Sequence, residues 1–354
     1  MNGTIEHLLA RPVSFLDPSG PMADIAVSSR VRLARNLTGH RFPRTADQEE
    51  KNQICAKVIN AAHNTKALGS PDDIMVFYPE QMTKDEREIL LERRLVSSVF
   101  TTSPENTALL VCPEERCSIM INEEDQLRIQ TLRPGFQLDA AWQEINHIDD
   151  ALGAELDYAF DPKLGFLTSC PTNVGTGLRA SVMLHLPALC FAGRINQTVQ
   201  GINKLRLAVR GIYGEGSDNR GNLFQISNQI TLGESEERII AGLNNVIKQI
   251  IHHEREVRKE LATTDSNTLL DHVGRAYGVL RHSYKLSFDE ALQSLSAVRL
   301  GVDMGMFNSL TVNDVNELFI AVAPAHLRKL SGSFADADEE NVLRAEICRN
   351  KLKK

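Results

Sequence analysis

Residues 28–36 read SSRVRLARN. Val27, Val31 and Leu33 share one parity while Arg30, Arg32 and Ala34 share the other, which is the period of a β-strand. Such a strand predicts a sheet with one aliphatic face turned to a core and one face presenting charge. Arg30 and Arg32 then project side by side, about 6.5–7 Å apart from the rise of two strand residues, a spacing that suits a polyphosphate. A solvated outer face with surface ion pairs would use the same alternation, so the remaining segments decide between the two.

Outward from this strand, residues 22 to about 232 are dominated by short strand-like runs: DIAVSSRVRLA, ALLVCP, CSIMINEEDQLRIQTL, KLGFLTSC, LRASVMLHL, LRLAVRGIY and NLFQISNQIT. Two helical stretches, about 46–63 and 136–153, interrupt them. Strand, strand, long helix and then several strands is not a regular βαβ alternation, and it predicts an α+β fold with a mostly antiparallel sheet flanked by helices.

After Gly233 the period changes. Ile239, Ile240, Leu243, Val246, Ile247, Ile250 and Ile251 fall on one face of a helix running to about residue 260. ATTDSN at 262–267 predicts a hinge. Beyond it SFDE at 287–290 reads as a capping box, and TVND at 311–314 as a weaker helix start. The expected division is a catalytic domain over 1–260 and a C-terminal all-α domain over 261–354.

With 354 residues the chain can bury a sizeable core, and its net charge of -7 argues against general nucleic-acid or membrane-surface binding. Any phosphate site must be local. No run approaches 18 apolar residues, and MNGTIEHLLARPVSF lacks a signal-peptide pattern, so a cytoplasmic location is expected. The six cysteines are scattered rather than paired as a scaffold. CPEERC at 112–117 lacks a second ligand pair, so no zinc site is expected there.

Three further stretches carry chemistry. In INEEDQLRIQ (121–130) three acids, Glu123, Glu124 and Asp125, follow an apolar run. If the strand continues, Glu124, Gln126 and Arg128 share a face, and a carboxylate there would meet a guanidinium in paired hydrogen bonds. TSCPTNVGTGLRASV (168–182) places Gly175 and Gly177 in a turn predicted to let backbone approach a ligand, with Arg179 heading the next strand. It is neither a Walker pattern nor GxGxxG. AVRGIYGEGSDNRGNLFQISN (208–228) puts Arg210 at a strand end and Glu215 among Gly214, Gly216 and Gly221, which predict a mobile flap.

In the same chain order, SSRVR, NEED followed four residues after its second Glu by Arg128, CPTNxGTGLR, and RGxxGE followed by ISN resemble the guanidino (phosphagen) kinase family of creatine and arginine kinases. The resemblance covers roughly residues 22–232. It lies nearest the bacterial protein arginine kinases, because the helical domain that precedes the first arginine strand in creatine and arginine kinases has no counterpart here and a helical domain follows instead. An acceptor site without that cover is expected to admit an arginine side chain of a protein. Where creatine and arginine kinases carry a histidine four residues after the arginine of GTGLR, this chain has Met183.

The resemblance implies roles by position. Arg30, Arg32, Arg128, Arg179 and Arg210 would surround the phosphates of ATP, with Mg2+ held mainly through the nucleotide rather than by protein ligands. Arg35 has no matched role and is read as structural. Glu124 and Glu215 would clamp the acceptor guanidinium, Glu124 as base and Glu215 as clamp. Cys170 matches the family's reactive cysteine, and Glu123 and Asp125 are secondary candidates. The implied activity is ATP-dependent phosphorylation of protein arginines in stress response and quality control. The implied partners are a zinc-binding activator, a heat-shock repressor, a Clp ATPase and a second copy of the chain through its C-terminal domain. A kinase of free arginine and an inactive phosphoarginine-binding adaptor are the alternatives. The branch's phosphoarginine motif, RDxxRA, reads ENVLRA at 340–345, keeping Arg344 and Ala345 but placing Glu340 where arginine stands. Activation by phosphoarginine is therefore not expected.

Overall fold

The computed structural model describes residues 3–211, 220–332 and 336–353. Its strands are β1 (Ala26–Arg35), β2 (Met75–Phe77), β3 (Ala108–Val111), β4 (Cys117–Ile121), β5 (Leu127–Pro134), β6 (Phe160–Asp161), β7 (Gly165–Phe166), β8 (Leu178–His185), β9 (Leu207–Gly211) and β10 (Leu223–Asn228). β6 and β7 form a small ribbon, and the others make one eight-stranded sheet in the order β2-β3-β4-β5-β1-β8-β10-β9. Every neighbouring pair in it is antiparallel.

The helices are α1 (Ile5–Leu9), α2 (Gln48–Thr65), α3 (Lys84–Glu92), α4 (Ser98–Thr102), α5 (Leu138–Gly153), α6 (Pro187–Phe191) and α7 (Ile195–Lys204). After the sheet come α8 (Glu236–Thr264), α9 (Ser266–His282), α10 (Phe288–Asp303), α11 (Val312–Ala321), α12 (Pro324–Ser331) and α13 (Ala337–Lys351). Among the described residues no helix is long and apolar enough to cross a membrane.

Alternation decides which way each strand faces. Val31 and Leu33 of β1, Leu127 and Ile129 of β5, and Leu178, Ala180, Val182 and Leu184 of β8 join one buried cluster with Ile145 of α5 and Ile247 of α8. Each such aliphatic contributes about 1.5–3 kcal/mol by leaving water. On the opposite face Leu109, Val111 and Met120 pack under Ile5, Ile89, Phe100 and Ala325, but this second cluster covers only the β2–β4 end. The other half of that face, over β5, β1, β8, β10 and β9, opens onto a cavity.

Several expectations change. Val27 leaves the expected parity: the pairing of β1 with β8 shifts between Ala26 and Ser28, a bulge that turns Val27 toward the cavity. Residues 122–126 are a turn rather than continued strand, with Asn122 at φ 59 and its N–H donating to Gln126 O. Gln126 points inward, its Oε1 accepting from Leu37 N, so it shares no face with Glu124. β2, α3 and α4 fall in a stretch for which no element was expected, although TKDE at 83–86 is a full capping box at the head of α3.

The expected hinge at 262–267 is helical on both sides of Asp265, and Leu269 and Val273 of α9 join the main core. The two C-terminal helix starts exchange ranks. Thr311 and Asp314 form the complete capping box, whereas Ser287 only accepts from Glu290 N.

Candidate active site

The cavity encloses about 1070 Å³. Strand register explains why it is cationic. Arg32 is the direct partner of Arg179, Ala34 of Arg128, and Gln225 of both Met183 and Arg210. In-register partners project to the same side, so Arg30, Arg32, Arg128, Arg179 and Arg210, drawn from β1, β5, β8 and β9, all line the one cavity.

Among the described residues Glu123 and Glu124 offset only part of that charge. Burial, then the charges of Arg94, Arg179 and Arg128, pull the Arg30 guanidinium down to about 9. Burial also drives Arg32 well below its ordinary value, with Arg30, Arg128 and Arg179 adding to the effect. Arg179 is lowered by burial, then by Arg210 and Arg128. Among the described residues, the Nε atoms of Arg32 and Arg179 are buried without a hydrogen-bond partner. A cluster of mutually repelling cations converging on one cavity suits a polyanion with several oxygens. Arg30 Nη2 meanwhile donates to Gln225 Oε1 at 2.9 Å.

Arg94 belongs with these arginines, although sequence reasoning missed it. It lines the cavity, its charge reaches Arg30, and its guanidinium carbon lies 5.3 Å from the centre of the Phe15 ring. It follows α3 in the left-handed region, φ 62, so no strand alternation could reveal it.

The acids stand at one end. Arg128 spans two of them, with Nη1 2.6 Å from Glu123 and Nη2 2.7 Å from Glu124. Glu123 is only 1% exposed and also accepts from Ser97 Oγ at 2.5 Å, so its oxygens are committed. Glu124 is 42% exposed on the rim, where an incoming group can reach it. Asp125 is fully buried, its Oδ1 accepting from Asn36 Nδ2 at 2.8 Å and Ser169 N at 2.7 Å. It ties the acidic turn to the CPTN loop instead of facing the cavity.

Cys170 lines the cavity together with Arg179, its Sγ 3.0 Å from Thr172 Oγ1. Met183 also lines the cavity and is 2% exposed. Glu215, with Gly214 and Gly216 of the expected flap, lies outside the described residues.

The glycines of GTGLR are held close to the protein's own backbone, and Gly177 also lines the cavity. A Cβ on Gly175 would sit 2.2 Å from Thr231 O, and one on Gly177 2.6 Å from Ala34 O. The close approach they permit is to the protein's own backbone, which seats the loop against β1. Arg35 completes that seat: it is 2% exposed, pairs with Asp149 at 2.6 Å and donates to Thr176 O, with Phe166 3.5 Å below its guanidinium.

Among the described residues no three His, Cys, Asp or Glu side chains cluster as a metal site. The donor set suits phosphate oxygens.

ENVLRA lies in the C-terminal helices, outside the residues that line the cavity. Arg344 is 1% exposed and donates to Val322 O, Leu286 O and Asn341 Oδ1, with Glu340 pairing to its remaining nitrogen. Its guanidinium is a buried clamp between α13 and the turns it packs on.

Comparison with known proteins agrees with this geometry. Residues 53–257 match the family described as ATP:guanido phosphotransferase, C-terminal catalytic domain, and residues 266–354 match the protein-arginine kinase McsB C-terminal domain. The chain is 44% identical over 333 residues to a protein-arginine kinase of Halothermothrix orenii, covering 94% of each. It is 47% identical over 331 residues to one of Syntrophomonas wolfei, covering 93% of this chain and 92% of that one. In fold it is similar to a crystal structure of lombricine kinase, with a TM-score of 0.58 at 21% identity, covering 73% of this chain and 72% of that one. It is also similar to the duplicated taurocyamine kinase of Schistosoma mansoni, with a TM-score of 0.60 at 22% identity, covering 81% of this chain and 40% of that one.

Proposed function

The chain belongs to the ATP:guanido phosphotransferase family, in its protein-arginine kinase branch, and from that premise we infer how its cavity phosphorylates arginine side chains of proteins. The observation that carries the assignment of roles is the meeting of five arginines from four strands with Glu124 and Cys170 in one cavity.

A guanidinium has no free lone pair and a pKa above about 12, so it becomes a nucleophile only when oriented and deprotonated as it attacks. In this reading Glu124, supported by its exposure at the rim, receives the acceptor's guanidinium and takes its proton. The nitrogen then attacks the γ-phosphorus, the N–P bond forms, and the bond to the β-bridging oxygen breaks, leaving ADP. Arg30, Arg32, Arg179 and Arg210 stabilise charge on the phosphoryl oxygens as it develops, and Arg128 joins the donor side to the acceptor acids. Glu123, locked by Arg128 and Ser97, positions Arg128. Mg2+ bound with ATP would neutralise further phosphate charge, held mainly by the nucleotide. Cys170, beside Arg179, would help seat the guanidinium.

The expected product is acid-labile phosphoarginine on protein substrates. Incubation with γ-labelled ATP and either an unfolded arginine-rich protein or free arginine tests this: label confined to free arginine would reject protein as the acceptor. The marking of proteins for a Clp-type protease, regulation by a zinc-binding activator, a cytoplasmic setting and dimerisation through a C-terminal domain beginning near residue 261 go with this reading as proposals.

A further inference from the structure

The acids do not mark the limit of the cavity. Arg44, Lys51 and Glu105 also line it, and none of them belongs to the strands that carry the arginine cluster. Arg44 lies in the loop after β1, Lys51 in the first turn of α2, and Glu105 between α4 and β3. Asn122, two residues before Glu124, fixes this rim against the acids. Its Nδ2 donates to Lys51 O at 2.9 Å and to Asn106 O at 3.0 Å, so Lys51 and the neighbour of Glu105 both abut the acidic turn. Gln126 closes the same turn, its Nε2 donating to Arg41 O at 2.9 Å, three residues before Arg44.

This rim carries two cations against one acid. Arg44 is exposed and Lys51 half-buried. The carboxylates nearest to them in sequence are committed elsewhere, because Arg41 takes two: its Nε donates to Glu50 Oε2 at 2.8 Å and its Nη2 to Asp47. Glu49 lines a separate shallow hollow with Gln53. Among the described residues Arg44 and Lys51 enter no ion pair, in contrast to Arg41.

We propose that Arg44 and Lys51 form a specificity subsite for the chain that flanks the acceptor arginine, favouring protein segments with aspartate or glutamate within a few residues of it. The proposal rests on the phosphotransfer reading above, with protein as the acceptor. An arginine that reaches Glu124 at the rim leaves its own backbone outside the arginine cluster, so its flanking residues pass over the rim that Asn122 holds beside the acids. An acidic flank there meets two cations that lack a carboxylate partner, whereas a basic flank adds like charge to them. Exposed pairs of this kind contribute about 0.2–1 kcal/mol each, so the discrimination is graded.

Steady-state phosphorylation by the full chain tests this with three versions of one unfolded carrier protein, each holding a single arginine flanked on both sides by glutamate, glutamine or lysine. At saturating MgATP, kcat/KM should fall about threefold to tenfold from the glutamate to the lysine version. Raising salt to about 0.5 M should flatten the series. Arg44→Glu combined with Lys51→Glu should reverse the order and leave the KM for MgATP within about twofold. Lys51→Gln gives a milder check, since Asn122 holds the main-chain oxygen of Lys51 and only the charge is lost: the preference should shrink by about half. Equal kcat/KM for the three carriers, a preference for lysine, or an order unchanged in the double variant would overturn the subsite while leaving phosphotransfer standing. Failure of all three carriers to accept phosphate from the unsubstituted protein would instead reject the protein-acceptor reading itself.

Discussion

Arg32 and Arg179 stand as direct partners on adjacent antiparallel strands, two cations in register on the cavity face. Like charges so placed destabilise a sheet by a few tenths to about 1 kcal/mol, and burial enlarges the effect. The protein therefore carries, in its ligand-free state, a repulsion that a bound anion would relieve.

Arg32→Met is expected to raise the melting temperature of the ligand-free protein by a few degrees while cutting phosphoryl transfer at least about a hundredfold. Melts with and without MgATP check both halves. A lower ligand-free melting temperature would show that Arg32 supports the fold.

Glu124→Gln should lose about 10²–10⁴ in turnover yet bind ATP and melt as the unsubstituted protein does, since the side chain is half-exposed and holds one ion pair. Glu123→Gln should differ by also lowering stability by about 1–3 kcal/mol, because Arg128 and Ser97 lose a buried partner. Near-full activity in Glu124→Gln would move the base elsewhere.

Acid should destabilise the protein through His185. Burial, then the charges of Arg299 and Arg258, hold this imidazole well below 6.5. The folded state keeps it neutral while the unfolded chain takes up a proton, so its contribution is complete above about pH 6.5 and is lost as pH falls from there toward the folded pKa. The slope is up to about 1.4 kcal/mol per pH unit. Denaturation titrations between pH 7.5 and 5, roughly bracketing that range, should show a shallower decline in His185→Gln. Parallel curves would refute the assignment.

Arg344→Ala should destabilise the C-terminal helices by about 3 kcal/mol, since three described acceptors and Glu340 lose a buried donor together. Any loss of phosphoarginine recognition in that variant would then report unfolding. Circular dichroism melts settle this, and an unchanged melting temperature would mean that Arg344 is not a clamp.

Much of the site was written in local pattern. Alternation in SSRVRLARN and LRASVMLH assigns one set of side chains to the core and the other to the cavity, because a strand's period of two depends only on chain geometry. The antiparallel α+β character followed from the order of strands and helices, and the full set of arginines from the family resemblance. Local pattern also misled in places: the bulge at Val27 reversed one parity, and the NEED strand proved to be a turn.

What sequence alone determined about this protein is which residues could carry charge to one face of a sheet, since that is settled within a few residues of chain. Tertiary structure decided which of them meet. Glu123 rather than Glu124 is the buried partner, Asp125 is a tie, Arg94 enters from a left-handed turn, and helices from the C-terminal region close the cavity's far end. Those outcomes depend on register and packing between segments far apart in sequence, such as His185 with Ser296 and Leu16 with Asn316, where no local periodicity reaches.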